Sequence, residues 1–563
     1  MDSTTDSFAM ALSYLRAGDY VRAQKQCAEI ALADPSHADS HNLLGVIAIH
    51  DGQFEVAIAC FQRALALGLQ QAYVHNNLGA AHQALGELEE ASACFHRALD
   101  ATPDSVEINY NLGIVQLLLQ RPHEAAQCFR ETLRLMPQHA QAHFNLGYLD
   151  QQEGRLDEAA AHYRQALEAQ PNYFQARNNL GGLLVDRQEF DEGMMHCQLA
   201  LALNPHDAKA HNNMGAALTS LGRHQEALTH FSQALKLDPS HPEANWNSSQ
   251  LLLLFGDFEK GWPAYEWRRT QPKISPRSSS QPLWDGSMRM DSTILLHAEQ
   301  GLGDTLQFIR YAALVKERVG RVIVDCQTAL MGLLSLIPEI DYIVPADSIL
   351  PDFDIQSPLL SLPWIFHTTQ ETIPAAIPYL QAKPELVDYW HQELKSIKGL
   401  KIGIAWQGGK FDPRRTVPLE QFAKLAAVKG VHLISLQKGA GSEQLARLAG
   451  QFPVVDFGDR LDTASGPFMD SAAIMKNLDL VVSSDNVIVH LAGGLGVPVW
   501  LALPFVPEWR WQLNREDSPW YPSMRLFRQT RMGQWDDVFT RIAEELPAFD
   551  ARSAKASQTG GTS

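Results

Sequence analysis

The sequence predicts an α-helical repeat solenoid followed by an α/β region whose two parallel-sheet subdomains face each other across a cleft. Three observations predict it. A set of small residues and prolines returns every 34 residues from Pro35 to Pro239. From residue 293 onward, short β-branched apolar runs alternate with amphipathic segments, the pattern of buried parallel strands joined by helices. Between the two lies "TQPKISPRSSSQPLWDGSMRMD", rich in Pro and Ser and without periodicity. At 563 residues the chain is too long for a single core, so two or more structural units are expected.

The repeat comes first. Gly45, Gly79, Gly113, Gly147, Gly181 and Gly215 stand 34 residues apart. Pro35, Pro103, Pro137, Pro171, Pro205 and Pro239 keep the same period, with Leu69 at the position that lacks a proline. Ala57, Ala91, Ala125, Ala159 and Ala227 repeat as well, and Gly193 fills their gap. A 34-residue unit of two helices is the signature of the tetratricopeptide repeat. In such a unit Gly79 and Ala91 let the two helices approach, and Gly86 ends the first helix as a C-cap. Pro103 cannot continue the second. Seven repeats from residue 4, and a degenerate eighth with Ser249 at the glycine position, fill residues 4–270.

Two further residue series share the period. Asn77, Asn111, Asn145, Asn179, Asn213 and Asn247 each stand two residues before the repeat glycine or its replacement. A buried amide must be hydrogen-bonded, so one in every repeat is a costly way to build a core. On the first helix of each repeat these amides are expected to line the concave surface and grip an extended polypeptide. The alternative is that each holds neighbouring helices together. Cys60, Cys94, Cys128, His162, His196 and His230 resemble a metal-ligand series. Equivalent positions in stacked helices lie ~8–10 Å apart, whereas zinc needs ligands at ~2.0–2.3 Å. They are read as a repeat position, and no metal is expected.

Composition narrows the function classes. A net charge of -18 argues against a chain that wraps nucleic acid or coats an anionic membrane. The longest apolar runs, such as LLLLF at 251–255, fall far short of the ~20 residues of a membrane span. "MDSTTDSFAM" lacks the basic start and apolar core of a secretory signal. Six scattered cysteines make no disulfide framework. A cytoplasmic protein is expected.

Strands are predicted at ILLHAE (294–299), RVIVDC (321–326) and DYIVPA (341–346). A second set follows at KIGIAWQ (401–407), VHLISLQ (431–437), DLVVSS (479–484) and VPVWLAL (497–503). They divide the region into subdomains 293–390 and 391–548, preceded by a linker at 271–292 and followed by a disordered, low-complexity tail at 549–563. Parallel sheets bind ligands beyond the carboxyl ends of their strands, so the residues directly after each strand are the site candidates.

Three of these segments, "EQGLGDTLQF", "GIAWQGGKFDPRR" and "SSDNVIVHLAGGLGVPVW", resemble in order the family 9, heptosyltransferase-like glycosyltransferases. The resemblance covers roughly 290–548 and implies a GT-B fold of two Rossmann-like subdomains. With the repeats, the chain is similar to bacterial tetratricopeptide-glycosyltransferase fusions, some of which modify flagellin. The asparagine series resembles that of the O-GlcNAc transferases, whose repeats bind acceptor polypeptide.

The resemblance implies roles for named residues. Asp304 of the Gly301-x-Gly303-Asp304 turn corresponds to the proposed general base of an inverting transfer. From local sequence alone the same carboxylate is a good helix cap. No metal-ligand cluster such as a D-x-D in a suitable loop is evident, so Gln407, Lys410, Arg414 and Arg415 after one strand, and Gln437 and Lys438 after the next, are donor-side candidates with Gly303. Ser484, Asp485 and Asn486 precede a helix start suited to phosphate, and His490 lies one turn further on. Asn486 stands where relatives have Thr, Ser or Gly, and as an Asn it can cap the helix or adopt a left-handed conformation. "PFVPEWRWQLNREDSPWYPSMRLFRQ" is read as a crossover back to the first subdomain, with closure over the donor as the alternative. The expected activity is sugar transfer from a nucleotide-sugar to a side-chain hydroxyl of a polypeptide held by the repeats, with no cofactor. UDP-, ADP-, GDP- and CMP-linked donors all fit. A carbohydrate or lipid-linked acceptor, or an inactive interaction scaffold, are the alternatives.

Overall fold

The computed structural model of the chain describes residues 3–271, 280–346, 348–409 and 413–559. The chain forms two compact units, Met1–Asn213 and Met214–Ser563. Their boundary falls inside the helix Ala208–Ser220, so the last repeat helices belong with the α/β region rather than with the solenoid.

The first unit is a stack of helix pairs, from Ser3–Arg16 and Tyr20–Ala33 onward. The repeat glycine has a packing reason. A Cβ at Gly45 would lie 2.6 Å from the Phe61 ring, and one at Gly113 2.6 Å from Phe129. The aromatic stands 16 positions after the glycine, on the second helix of the pair, and is fully buried at Phe61, Phe95, Phe129 and Tyr163. At Gly181 the partner is Cys197, whose sulfur would lie 2.7 Å from an added Cβ. A second periodic constraint sits at the end of each first helix. Gly18, Gly52, Gly86, Gly154, Gly222 and Gly256 have positive φ, between 72° and 81°. The two positions of that series without glycine, Gln120 and Gln188, adopt the same left-handed conformation at φ 58° and 66°.

The second unit continues with the helices His224–Leu237, Pro242–Leu254 and Phe258–Tyr265 and the short helix Glu266–Thr270. In the degenerate repeat the Ser249 hydroxyl is buried and donates to the Trp246 carbonyl at 2.6 Å. Two parallel sheets follow. The first contains β1 (Arg289–His297), β2 (Val319–Cys326), β3 (Tyr342–Pro345) and β4 (Ile355–Pro358), in the order β3-β2-β1-β4. The second contains β5 (Leu400–Ala405), β6 (Val431–Ser435), β7 (Val454–Val455), β8 (Leu480–Ser484), β9 (Val499–Leu503) and β10 (Met524–Arg528). Its order, β10-β9-β8-β5-β6-β7, is the 3-2-1-4-5-6 order of the Rossmann arrangement, and the first sheet repeats the 3-2-1-4 portion. Both sheets therefore have a topological switch point, between β1 and β4 and between β5 and β8.

The seven predicted strands are present with shifted ends; β4, β7 and β10 were not predicted. Two further expectations need correction. The described part of 271–292 is not a free linker. Trp284 is buried, Leu283 bridges to Gln356, and β1 begins at Arg289. The last helix, Asp536–Thr559, extends into the stretch read as a disordered tail. Its Val538, Phe539, Ile542 and Leu546 join Trp406, Phe422 and Trp500 in the core of the second sheet.

Candidate functional site

β1 ends at His297, and the chain turns through Glu299 and Gly301 into the helix Leu302–Phe308. Asp304 lies in its first turn and accepts a hydrogen bond from the Gly301 amide through Oδ2 at 2.8 Å. The cap reading of Asp304 is therefore correct. Its second oxygen, Oδ1, accepts from the Arg510 guanidinium. The turn lies at the switch point of the first sheet, where ligands of such sheets bind.

Arg510 is the hub. Besides Asp304 it reaches Gln307 Oε1 through Nε and Glu508 Oε1 through Nη1. Its guanidinium lies 4.3 Å over the Trp509 ring and 5.5 Å over Phe308. Burial disfavours its charge, but Glu508 and Asp304 outweigh that and hold it cationic. Burial pushes Glu508 upward, and Arg510 only partly offsets this.

His490, in the helix Val487–Gly494, closes the other side. Its ring stacks on Trp511 at 5.6 Å, and its Nδ1 lies 2.9 Å from the Tyr521 hydroxyl. An added Cβ at Gly303 would lie 2.7 Å from His490 Cδ2, so only glycine lets the two helix starts meet. Burial holds His490 well below the ordinary histidine range, and Arg510, Arg310 and Arg415 add to the effect. It is neutral at pH 7. Beneath it Arg310 donates to the Trp520 carbonyl at 2.7 Å and the Tyr379 hydroxyl at 3.1 Å.

Around the second switch point the candidates separate. Asn486 caps its helix, accepting from the Ile488 amide at 2.9 Å and donating to the hydroxyls of Ser483 and Ser484. Its φ of -154° is extended, so the left-handed alternative does not apply. One amide expected to be open for phosphate is thus occupied. The buried Asp485 lies 3.3 Å from Arg415, whose side chain is 36% exposed. Arg414 is half-buried.

Gln437 is not a free contact. Its Oε1 accepts from the Trp406 and Gln407 amides, and its Nε2 donates to the Gln407 and Ala440 carbonyls. It clamps the end of β5 to the loop after β6. Lys438 is likewise tied to the Leu461 carbonyl and the Thr463 hydroxyl. Gln407 is half-buried, with its Oε1 3.4 Å from Gln444 Nε2. Lys410 lies outside the described residues.

The structure brings Asp304, Gly303 and His490 together and adds Arg510, Glu508, Gln307 and Tyr521, none of which the sequence reading had assigned a site role. For Arg510, Glu508 and Tyr521 the only signal was the density of aromatics and arginines in 504–529, whereas Gln307 lies within the Asp304 segment itself. That segment does return to the first subdomain, as the crossover reading expected, and it delivers Arg510 to Asp304.

Four members of the asparagine series, Asn111, Asn145, Asn179 and Asn213, are engaged between repeats. Asn111 donates to Asn76 Oδ1 at 3.4 Å, Asn145 to the Tyr110 hydroxyl at 3.5 Å and Asn213 to Asn178 Oδ1 at 2.8 Å. Each partner stands 35 positions earlier, on the preceding repeat. Asn179 is buried, donates to the Tyr163 hydroxyl at 3.3 Å and accepts from Lys209 Nζ at 2.9 Å. Asn77, Asn111, Asn145, Asn213 and Asn247 are half-buried. These contacts are those of the alternative reading, in which the asparagines hold neighbouring helices together. Among the described residues no cluster of three His, Cys, Asp or Glu could hold a metal, and no helix is long and apolar enough to cross a membrane.

Models of the tetratricopeptide repeat match residues 8–72, 70–138, 104–172, 144–208 and 208–241. The N-terminal repeats are tetratricopeptide repeats. Protein FlbA of Caulobacter vibrioides is 26% identical over 334 residues, 54% of this chain and 54% of that protein. The chain thus spans about half the length of that relative. Among solved structures, YrrB, described as a TPR protein with an unusual peptide-binding site, is 23% identical. It covers 33% of this chain and 95% of its own, at a TM-score of 0.29. Pseudomonas aeruginosa pilF is 23% identical and covers 37% of this chain and 94% of its own, at 0.34.

Proposed function

We propose that the chain is an inverting, metal-independent protein glycosyltransferase of GT-B architecture, whose repeats recruit a polypeptide acceptor. One observation carries this reading. The Gly301–Asp304 turn after β1 and the helix start after β8 lie at the switch points of two Rossmann-ordered sheets, and they meet where Gly303 abuts His490.

In the proposed reaction an acceptor hydroxyl attacks the anomeric carbon of a nucleotide-sugar. The bond from that carbon to the phosphate oxygen breaks, and the nucleotide leaves with the electron pair. The hydroxyl proton passes to Asp304. Gly301 and Arg510 each use one oxygen of that carboxylate, and every carboxylate oxygen has two lone pairs, so an acceptor site remains. Arg414 and Arg415 supply charge for the departing phosphate, since planar guanidinium groups suit phosphate oxygens. Neutral His490 contributes shape and a hydrogen bond rather than charge.

A second reading, a protein-binding scaffold whose α/β region performs no transfer, draws on one specific observation. Asn486 occupies the Ile488 amide, and the Asp485 carboxylate stands beside Arg415 where phosphate would be expected. Melting of the full chain against UDP, GDP, ADP, CMP and dTDP separates the two. A ligand at a hundred times its Kd stabilises the native state by about 2.7 kcal/mol. A clear rise with one nucleotide supports the transferase and names the donor class; no rise with any supports the scaffold.

A further inference from the structure

The short helix Glu266–Thr270 at the end of the repeats is built into the α/β region through a closed polar ring. Arg268 is fully buried. It donates to Glu266 Oε1 at 2.5 Å, to Glu299 Oε2 at 2.7 Å and to the Ser361 hydroxyl at 2.7 Å. Ser361 in turn donates to Glu266 Oε2 at 2.8 Å. Glu299 is also fully buried and stands two residues before Gly301, the cap partner of Asp304. The neighbouring helix Phe258–Tyr265 reaches the other half of the site. Trp262 and Tyr265 pack edge-on against Trp509, at 5.4 and 5.8 Å, and Trp509 carries the Arg510 guanidinium on its face. The Trp262 indole donates to the Thr368 carbonyl at 3.0 Å.

A terminal repeat that only capped a solenoid would present a polar outer face. This one buries a guanidinium against the turn that carries Asp304 and two aromatics against the segment that carries Arg510. Lone buried carboxylates are expensive, so Glu299 is held where Arg268 is, and the turn follows Glu299.

We infer that the last repeat is a working part of the site. Arg268 is a positioning residue for the Asp304 turn, acting through Glu299, and Trp262 and Tyr265 position Arg510 through Trp509. The geometric part stands on the contacts alone; its consequence for turnover rests on the transferase reading above.

The test compares full-length wild type with Arg268→Met and Arg268→Lys, by hydrogen exchange and by single-turnover transfer with the nucleotide-sugar found by melting. Arg268→Met is expected to raise exchange in 300–308 about tenfold while the first unit is unchanged. It should lower the transfer rate about tenfold or more with donor KM nearly constant, a disturbance of aim rather than binding. Arg268→Lys should recover part of both. Should Arg268→Met not fold, Ser361→Ala removes the two hydroxyl bonds of the ring and leaves the Arg268 ion pairs with Glu266 and Glu299 in place. It should still raise exchange selectively in 300–308. Unchanged exchange at 300–308, or an equal rise throughout 214–559, overturns the positioning role. Absence of transfer in wild type overturns the transferase reading instead, and the exchange pattern still decides the positioning.

Discussion

Replacing Gly303 by alanine tests the closest contact in the site. The new Cβ would stand 2.7 Å from His490 Cδ2 and 3.3 Å from Nε2, well inside van der Waals contact. The ring cannot swing away. It is buried, stacked on Trp511 and hydrogen-bonded to Tyr521. The strain must then move the first turn of the helix Leu302–Phe308, which holds Asp304. Overpacking of this kind costs about 1–3 kcal/mol. Alanine's better helix propensity returns at most about 1 kcal/mol, less in a first turn. The expected net loss is therefore about 1–2 kcal/mol, read as a lower urea midpoint at unchanged slope. A double-mutant cycle makes the reasoning specific. In a His490→Ala background the clash is gone, and Gly303→Ala should cost at least about 1 kcal/mol less than in wild type. Equal cost in both backgrounds, or no cost in wild type, would refute the account of why this position is glycine.

Other consequences can be checked separately. Gln120→Gly and Gln188→Gly relieve left-handed backbone that the other repeats give to glycine, and each should stabilise the first unit by about 0.5–1 kcal/mol in thermal unfolding; no gain at either position would contradict the strain argument. Arg510→Met leaves Asp304 and Glu508 without the cation they share and should cost about 3–5 kcal/mol, whereas adding Glu508→Gln should restore part of it; a single variant as stable as wild type would show the hub to be unimportant. Acid should weaken the second unit. Burial lowers His297 from 6.5 to about 4, with Arg268 and Arg269 adding to the effect. Between those values the unfolded chain binds the extra proton, so stability is full above pH 6.5 and is lost as pH falls toward 4. From pH 7 to 5 this single group accounts for about 2 kcal/mol, and His297→Leu should flatten that slope in urea titrations; an unchanged slope would mean that other groups carry the acid response.

The repeats were legible because five units rewrite the same contact, a glycine under a ring such as Phe61 or Phe129, at one fixed spacing, with Cys197 in place of the ring at Gly181. The central strands were legible because a parallel strand covered on both faces becomes an apolar run, as in "KIGIA" and "LVV". All three missed strands, β4, β7 and β10, lie at sheet edges. Edge strands are short or carry charge, as "IQSP" and "MRLFR" do. The site divides in the same way. The cap made by Asp304 is local, and a turn of glycines followed by a carboxylate announces it. Arg510 stands 206 residues further on, and no spacing rule links it to that turn. Gln437 and Lys438 show that a polar residue after a strand can equally well tie neighbouring segments together: Gln437 bonds the end of β5, and Lys438 bonds Leu461 and Thr463. The asparagine period was plain, but its partners, 35 positions back, emerge only when adjacent helices are stacked.

The most direct test of the proposal is Asp304→Asn in the full chain, with nucleotide affinity and single-turnover sugar transfer measured on the same preparation. Asparagine can still accept from the Gly301 amide but cannot take a proton from an acceptor hydroxyl. The account predicts donor affinity within about threefold of wild type and transfer slowed by about a hundredfold or more. Transfer at the wild-type rate would contradict it, because the proton would then have another destination.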